Sequence, residues 1–114
     1  QGGISTPAEH NIILLFTSEQ GQEYGYSDGW REDGIFLYTG EGQKGDMAFV
    51  RGNAAIRDHM ETGKEIHLFS QVSRGYVRYI GQMAYKGYHF TQGRDTTGEV
   101  RQMIVFELAP VENP

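Results

Sequence analysis

A chain of 114 residues is one domain on length and can bury roughly two thirds of its unfolded surface. It contains no cysteine, which excludes a disulfide framework and any thiolate zinc site. A net charge of −5 argues against a nonspecific nucleic-acid binder, and no apolar run approaches the roughly 18–20 residues of a membrane span.

The charge is uneven. Residues 1–43 set Arg31 against seven acids, whereas residues 44–114 set nine Lys and Arg against eight acids. Acidity gathers in the first part, where it carries a cost if phosphates approach. Without a charged-then-apolar opening segment, a soluble cytoplasmic domain is the expectation. The many glycines and tyrosines point to turns and aromatic strand faces rather than a helix bundle.

Gln1–Pro7 opens as a flexible loop. Asn11–Thr17 carries Ile12, Ile13, Leu14, Leu15 and Phe16, apolar on both faces, and reads as a buried strand of a sandwich or barrel. Gly21 turns the chain towards Glu23–Tyr26, after which Ser27-Asp28-Gly29 is a loop signal. Ile35–Tyr38 follows as a short β-branched and aromatic strand. It runs into Tyr38-Thr39-Gly40-Glu41-Gly42-Gln43-Lys44-Gly45-Asp46-Met47, whose glycines allow positive φ and close backbone approach to another molecule. This loop lacks the Gly-Lys-Ser/Thr ending of a nucleotide-phosphate cradle.

Asn53 is placed to cap a helix over Ala54–Thr62, with Ile56 and Met60 on one face and Gly63 as the stop. Glu65–Ser70, Tyr76–Tyr85 and Val100–Ala109 alternate as strands. The last two are joined through Tyr88–Gly98, whose glycines and polar residues predict a mobile loop. The expected class is α+β: a curved, mostly antiparallel sheet with one main helix.

Tyr24, Tyr26, Trp30 and Tyr38 crowd around Asp28 and Asp33 in sequence. Aromatic faces beside carboxylates suit a flat, hydrogen-bonding ligand such as a nucleobase. The ordinary alternatives are turn-capping aspartates and a core tryptophan. Asp28 and Asp33 also admit an acid/base pair in a small enzyme acting on nucleotides, and a module binding modified RNA or a peptide is a further alternative. His10, His59, His67 and His89 are scattered at no metal-ligand spacing, with His59 expected packed or on the surface. Ser18 and Ser27 have no nearby base in sequence, so no catalytic residue, metal or cofactor is assigned. Arg51, Arg57, Arg74 and Arg78 are candidates for phosphate contact, each with the alternative of a solvated surface charge.

Tyr26 followed by Asp28, then Tyr38-Thr39-Gly40-Glu41-Gly42, then Gly52-Asn53-Ala54-Ala55-Ile56, resembles the SET- and RING-associated (SRA) domain. That family shows Tyr-Glu-Asp-Asp, Tyr-Thr-Gly-x-Gly-Gly and Asn-x-Ala-Leu segments in the same order. Gly2-Gly3-Ile4 is similar to its early Gly-Ile loop, and the match spans most of residues 1–60. The whole chain resembles the SRA-like domain of McrA-type, modification-dependent HNH restriction endonucleases.

The resemblance implies an SRA/PUA-like, β-barrel-like fold over residues 1–114 as a single non-catalytic domain, with the nuclease domain elsewhere in the parent chain. It implies recognition of 5-methylcytosine or 5-hydroxymethylcytosine in double-stranded DNA by base flipping, with no oligomeric state specified. By position it implies Tyr38 as one stacking ring, Tyr26 or Trp30 as the other, and Asp28 or Asp33 as the base reader. The family's acidic doublet is broken here to Ser27-Asp28-Gly29. Thr39 and Gly40 are expected to complete the base pocket, and Gly3, Gly42, Lys44, Arg51 and Arg74 are expected to face the DNA backbone. Extruding a base costs a few kcal/mol. Stacking on an aromatic ring returns about 1–3 kcal/mol, and a carboxylate accepts from cytosine N4.

Overall fold

The computed structural model of the protein describes residues 3–18 and 28–112. The strand expected at Glu23–Tyr26, and with it Tyr26, lies outside the described residues. The elements in order are β1 (Gly3–Ser5), β2 (Ile12–Ser18), β3 (Gly29–Trp30), β4 (Phe36–Thr39), α1 (Arg51–Arg57), α2 (His59–Thr62), β5 (Glu65–Ser73), β6 (Tyr76–Arg94) and β7 (Val100–Pro110).

All seven strands form one sheet in the order β1-β2-β5-β6-β7-β4-β3. Every described pair is antiparallel except β2 and β5, which run parallel from Ile12 opposite Glu65 to Ser18 opposite Gln71. The connection between these two carries β3, β4 and both helices, long enough for the crossover that parallel neighbours require. The sheet is therefore mostly antiparallel, as expected.

The core packs Ile13 and Leu15 of β2, Ile66 and Leu68 of β5, Met83 of β6, and Ile104, Phe106 and Leu108 of β7 against Ile56 of α1. Each such side chain contributes about 1.5–3 kcal/mol on burial. β2 is not buried on both faces: Ile12, Leu14 and Phe16 are half-buried, and Phe16 stacks on Phe69 at 5.4 Å.

Three further expectations change. Gly3–Ser5, expected within a flexible opening loop, is strand β1 and pairs with β2. The helix expected over Ala54–Thr62 is broken at Asp58 (φ −101°, ψ 9°), and it begins at Arg51 with Val50 as N-cap, so Asn53 is inside the helix. Gly63 does end it, at φ 76°. Tyr88–Gly98 is not a mobile loop, because β6 stays paired with β7 as far as Arg94 opposite Val100. Glycines in a strand mark bulges as well as turns, and Gly87 adjoins a register shift in that ladder.

Backbone pairing leaves the sheet open, but side chains draw its two ends together. The Tyr38 hydroxyl on β4 lies 3.0 Å from the Gly3 carbonyl and 3.1 Å from the Phe16 carbonyl. Thr17 on β2 donates to the Asp28 carboxylate, just before β3, at 2.9 Å. Strands at opposite ends of the order thus meet, which gives the curved, barrel-like form.

Candidate functional site

Where the sheet ends meet, a cavity of about 800 Å³ opens. Its walls are Gly3 and Phe16, then Asp28, Tyr38 and Thr39, then residues 40–43 and 46–48 of the glycine loop, and Val50, Arg51 and Asn53 at the start of α1.

The loop is held from two sides. Asn53 Oδ1 accepts from the Glu41 N–H at 2.9 Å, while its amide nitrogen donates to the carbonyls of Glu41 and Ala48. Glu41 answers by accepting from the Gly52 N–H at 3.0 Å. A Cβ at Gly40 would stand 2.7 Å from Asn53 Oδ1, so glycine is required for that approach. On the other side, the buried Arg101 guanidinium donates to the Gly42 carbonyl, and Asp95 accepts from the Gly45 N–H at 3.0 Å. Arg101 Nε has no partner among the described residues. The Thr97 hydroxyl and the backbone N–H groups of Gly45, Thr97 and Glu99 hold the Asp95 carboxyl well below the usual carboxylate range.

Asp28 is tied at both oxygens: Oδ1 accepts from the Thr39 N–H at 2.8 Å and Oδ2 from the Thr17 hydroxyl. Burial pushes its pKa above the ordinary 3.8, opposed by the bonds from Thr39 and Thr17. Each oxygen keeps a further lone pair for a ligand. The raised value has a sign. Stability that depends on protonating Asp28 is complete below pH 3.8 and is lost as pH rises through the folded value. Asp28→Asn keeps an oxygen for Thr39 and a polar group for Thr17, and stays neutral. Its stability relative to the parent is therefore expected to improve as pH rises from about 4 to 7, read by urea denaturation at each pH. A pH-independent difference would remove Asp28 as the titrating group.

The structure brings Gly3, Asp28, Tyr38, Thr39, Gly40, Gly42 and Arg51 together at the cavity. Arg51 does so at φ 49°, a left-handed conformation costing a non-glycine residue about 1–2 kcal/mol. Trp30 is not in the cavity wall; it is 54% exposed and meets Phe36 edge-on at 5.1 Å. Asp33 lies in an exposed turn, bound twice by the Arg31 guanidinium, which holds its carboxyl below the usual range. It does not join Asp28, so the structure assembles no carboxylate pair from these two. Lys44 is exposed beyond the lining, and Arg74 sits in the β5–β6 turn. His59 is buried, with Nδ1 on the Lys64 carbonyl and Nε2 accepting from the Tyr85 N–H. Among the described residues, no three His, Cys, Asp or Glu side chains gather to hold a metal ion, and no helix is long and apolar enough to cross a membrane.

Sequence reasoning missed Thr17, Asn53, Asp95 and Arg101 as supports of the site. Asn53 alone had a signal, its place in the Gly52-Asn53-Ala54-Ala55-Ile56 run that carries the family resemblance.

A family profile described as "ScoMcrA-like, SRA domain" matches residues 1–114. Among solved structures, one of the sulfur binding domain and SRA domain of ScoMcrA complexed with phosphorothioated DNA superposes with a TM-score of 0.78 at 23% identity, covering 100% of this chain and 34% of that one. The MspJI restriction endonuclease in complex with a 27-mer oligonucleotide gives 0.72 at 19% identity, covering 97% and 33%. The SUVH5 SRA domain in complex with methylated CHH DNA gives 0.67 at 18% identity, covering 99% and 75%. The chain thus spans about a third of the ScoMcrA and MspJI chains. No curated protein matches it in sequence.

Proposed function

The chain belongs to the ScoMcrA-like SRA domain family, and from that premise we propose that it reads a modified cytosine, 5-methylcytosine or 5-hydroxymethylcytosine, flipped out of duplex DNA into the cavity beside Tyr38. Residues 1–114 act as one DNA-recognition domain without catalysis of its own. The parent is a modification-dependent restriction endonuclease of the cytoplasm, with an HNH nuclease domain elsewhere in its chain.

One observation carries the choice of a base over a backbone group. The cavity wall holds three acids, Asp28, Glu41 and Asp46, against the single cation Arg51. A phosphate or phosphorothioate inside would meet like charge. A cytosine is neutral and offers an N4 amino donor to a carboxylate. Asp28 supplies that acceptor at the base edge and the Tyr38 ring one stacking face; Tyr26, outside the described residues, is the candidate for the other. Thr39 and Gly40 let the chain pass close to the ring. Gly3, Gly42 and Arg51 lie at the cavity and Lys44 beside it, where the DNA backbone would pass.

A duplex carrying 2-aminopurine next to 5-methylcytosine tests the flipping step. Its fluorescence is expected to rise on binding, as the neighbour leaves the stack. Binding of the modified duplex without that rise means that the modification is read inside the groove.

A further inference from the structure

Residues 66–94 contain no Asp or Glu and four cations, Arg74, Arg78, Lys86 and Arg94, so the remainder of the chain carries −9. That acid-free stretch is β5 beyond Glu65 together with β6, and its tip extends past the pairing with the described residues of β2. β2 ends at Ser18 opposite Gln71, whereas β5 continues to Ser73 and returns through Arg74 and Gly75. Residues 72–79 are exposed without a break, on both faces of the hairpin. They include Val72, Val77, Tyr79 and Tyr76, the last 71% exposed. Neither Arg74 nor Arg78 has an ion-pair partner among the described residues.

The register fixes which way this tip faces. Thr17 lies opposite Ser70, and Ser70 opposite Arg78, so the three share one face of the sheet. Thr17 is one of the two residues that hold Asp28 at the cavity. Arg78 therefore stands on the face of the sheet from which Thr17 reaches Asp28, two strands or about 10 Å from Thr17. Tyr76 alternates onto the same face.

We propose that the Val72–Tyr79 hairpin is a second DNA-contacting element, an inference that rests on the reading of the cavity as a base pocket in duplex DNA. Arg74 and Arg78 bind phosphates beside the extruded base, and Tyr76 packs against sugars and base edges in the groove. This assigns the two tasks to different surfaces. The acid-lined cavity, with Arg51 and Lys44 as its nearby cations, attracts the backbone weakly, and a hairpin of arginines without ion-pair partners and with interleaved aromatics attracts it more. A peptide partner would leave the salt dependence of DNA binding untouched.

The test is a salt series of binding titrations with the 114-residue chain, its Arg74→Gln/Arg78→Gln double variant and Tyr76→Ala, each against modified and unmodified duplexes, with circular dichroism to verify folding. In the double variant the slope of log K against log salt is expected to flatten by about 2, about 1 per arginine. Affinity for both duplexes should fall in parallel, at least about tenfold at 0.1 M salt, leaving their ratio intact. Tyr76→Ala should weaken both duplexes with the slope unchanged. Discrimination by the parent together with an unchanged slope and Kd in the double variant overturns the hairpin's role and leaves the base pocket standing. No discrimination by the parent contradicts the pocket, and the hairpin assignment falls with it.

Discussion

Asn53→Ala is expected to destabilise the domain by about 2–4 kcal/mol, measured as a lowered urea midpoint, and to weaken modified-DNA binding in the fraction that remains folded. The truncation leaves the Glu41 N–H and the Glu41 and Ala48 carbonyls without the amide that now serves all three. Each buried polar group left unpaired costs about 1–3 kcal/mol, less where cavity water reaches it. The glycine loop then keeps the Glu41 carboxylate on the Gly52 N–H as its side-chain bond to α1, with Asp95 and Arg101 on the other side. Gly40→Ala attacks the same contact from the loop, since its Cβ would meet Asn53 Oδ1 at 2.7 Å. The two changes share one contact, so their costs should not add: Gly40→Ala should cost less in the Asn53→Ala background than in the parent. A loss below about 1 kcal/mol for Asn53→Ala would mean that the Glu41–Gly52 bond, β7 and the β6–β7 turn hold the loop without the Asn53 amide.

Tyr38 carries the other large effect. It is only 3% exposed and packs in the core cluster while facing the cavity. Tyr38→Ala should therefore cost about 3–5 kcal/mol of stability, the range for truncating a buried aromatic. Binding by its folded fraction should fall by a further 1–3 kcal/mol, roughly one stacking partner. Tyr38→Phe separates the two roles. It removes the hydroxyl that bridges to the Gly3 and Phe16 carbonyls, at about 1 kcal/mol of stability, and keeps the ring face. Affinity for modified DNA should change less than about threefold, within roughly 0.6 kcal/mol. If Tyr38→Phe instead abolishes discrimination, the hydroxyl-dependent curvature sets the site and ring stacking does not.

The local features were legible in the sequence, and the long-range ones were not. The strand into Gly40, the stop at Gly63 and the strand character of β5–β7 follow from glycine chemistry and period-two patterning. Asn53 was read as a cap because asparagine ahead of an Ala-Ala-Ile run fits one; its partners in the glycine loop are 5 and 12 residues away and leave no local mark. The Thr17–Asp28 bond depends on the sheet curling until β2 meets the segment before β3, which no window of sequence records. That curl puts Asp28 in the cavity wall and leaves Asp33 outside it, with its partner Arg31 two residues away. Trp30 was grouped with the other aromatics by proximity in the chain, yet it lies in a two-residue strand at the sheet edge, where its ring meets Phe36. β6 read as a strand followed by a loop because of its glycines, whereas pairing along β7 keeps it extended to Arg94.

In the proposed function, the acid-lined cavity beside Tyr38 selects a modified cytosine base. The most direct measurement is an equilibrium titration of the 114-residue chain against three duplexes that differ only in one cytosine: unmodified, 5-methyl or 5-hydroxymethyl. A substituent accommodated in a fitted pocket is worth about 1–3 kcal/mol, so at least one modified duplex is expected to bind roughly 10–200-fold more tightly than the unmodified one. Asp28→Asn should shrink that ratio while leaving the domain folded, and Asp33→Asn should leave it alone. Equal Kd values for all three duplexes, or a ratio that survives Asp28→Asn and disappears with Asp33→Asn, would contradict the account.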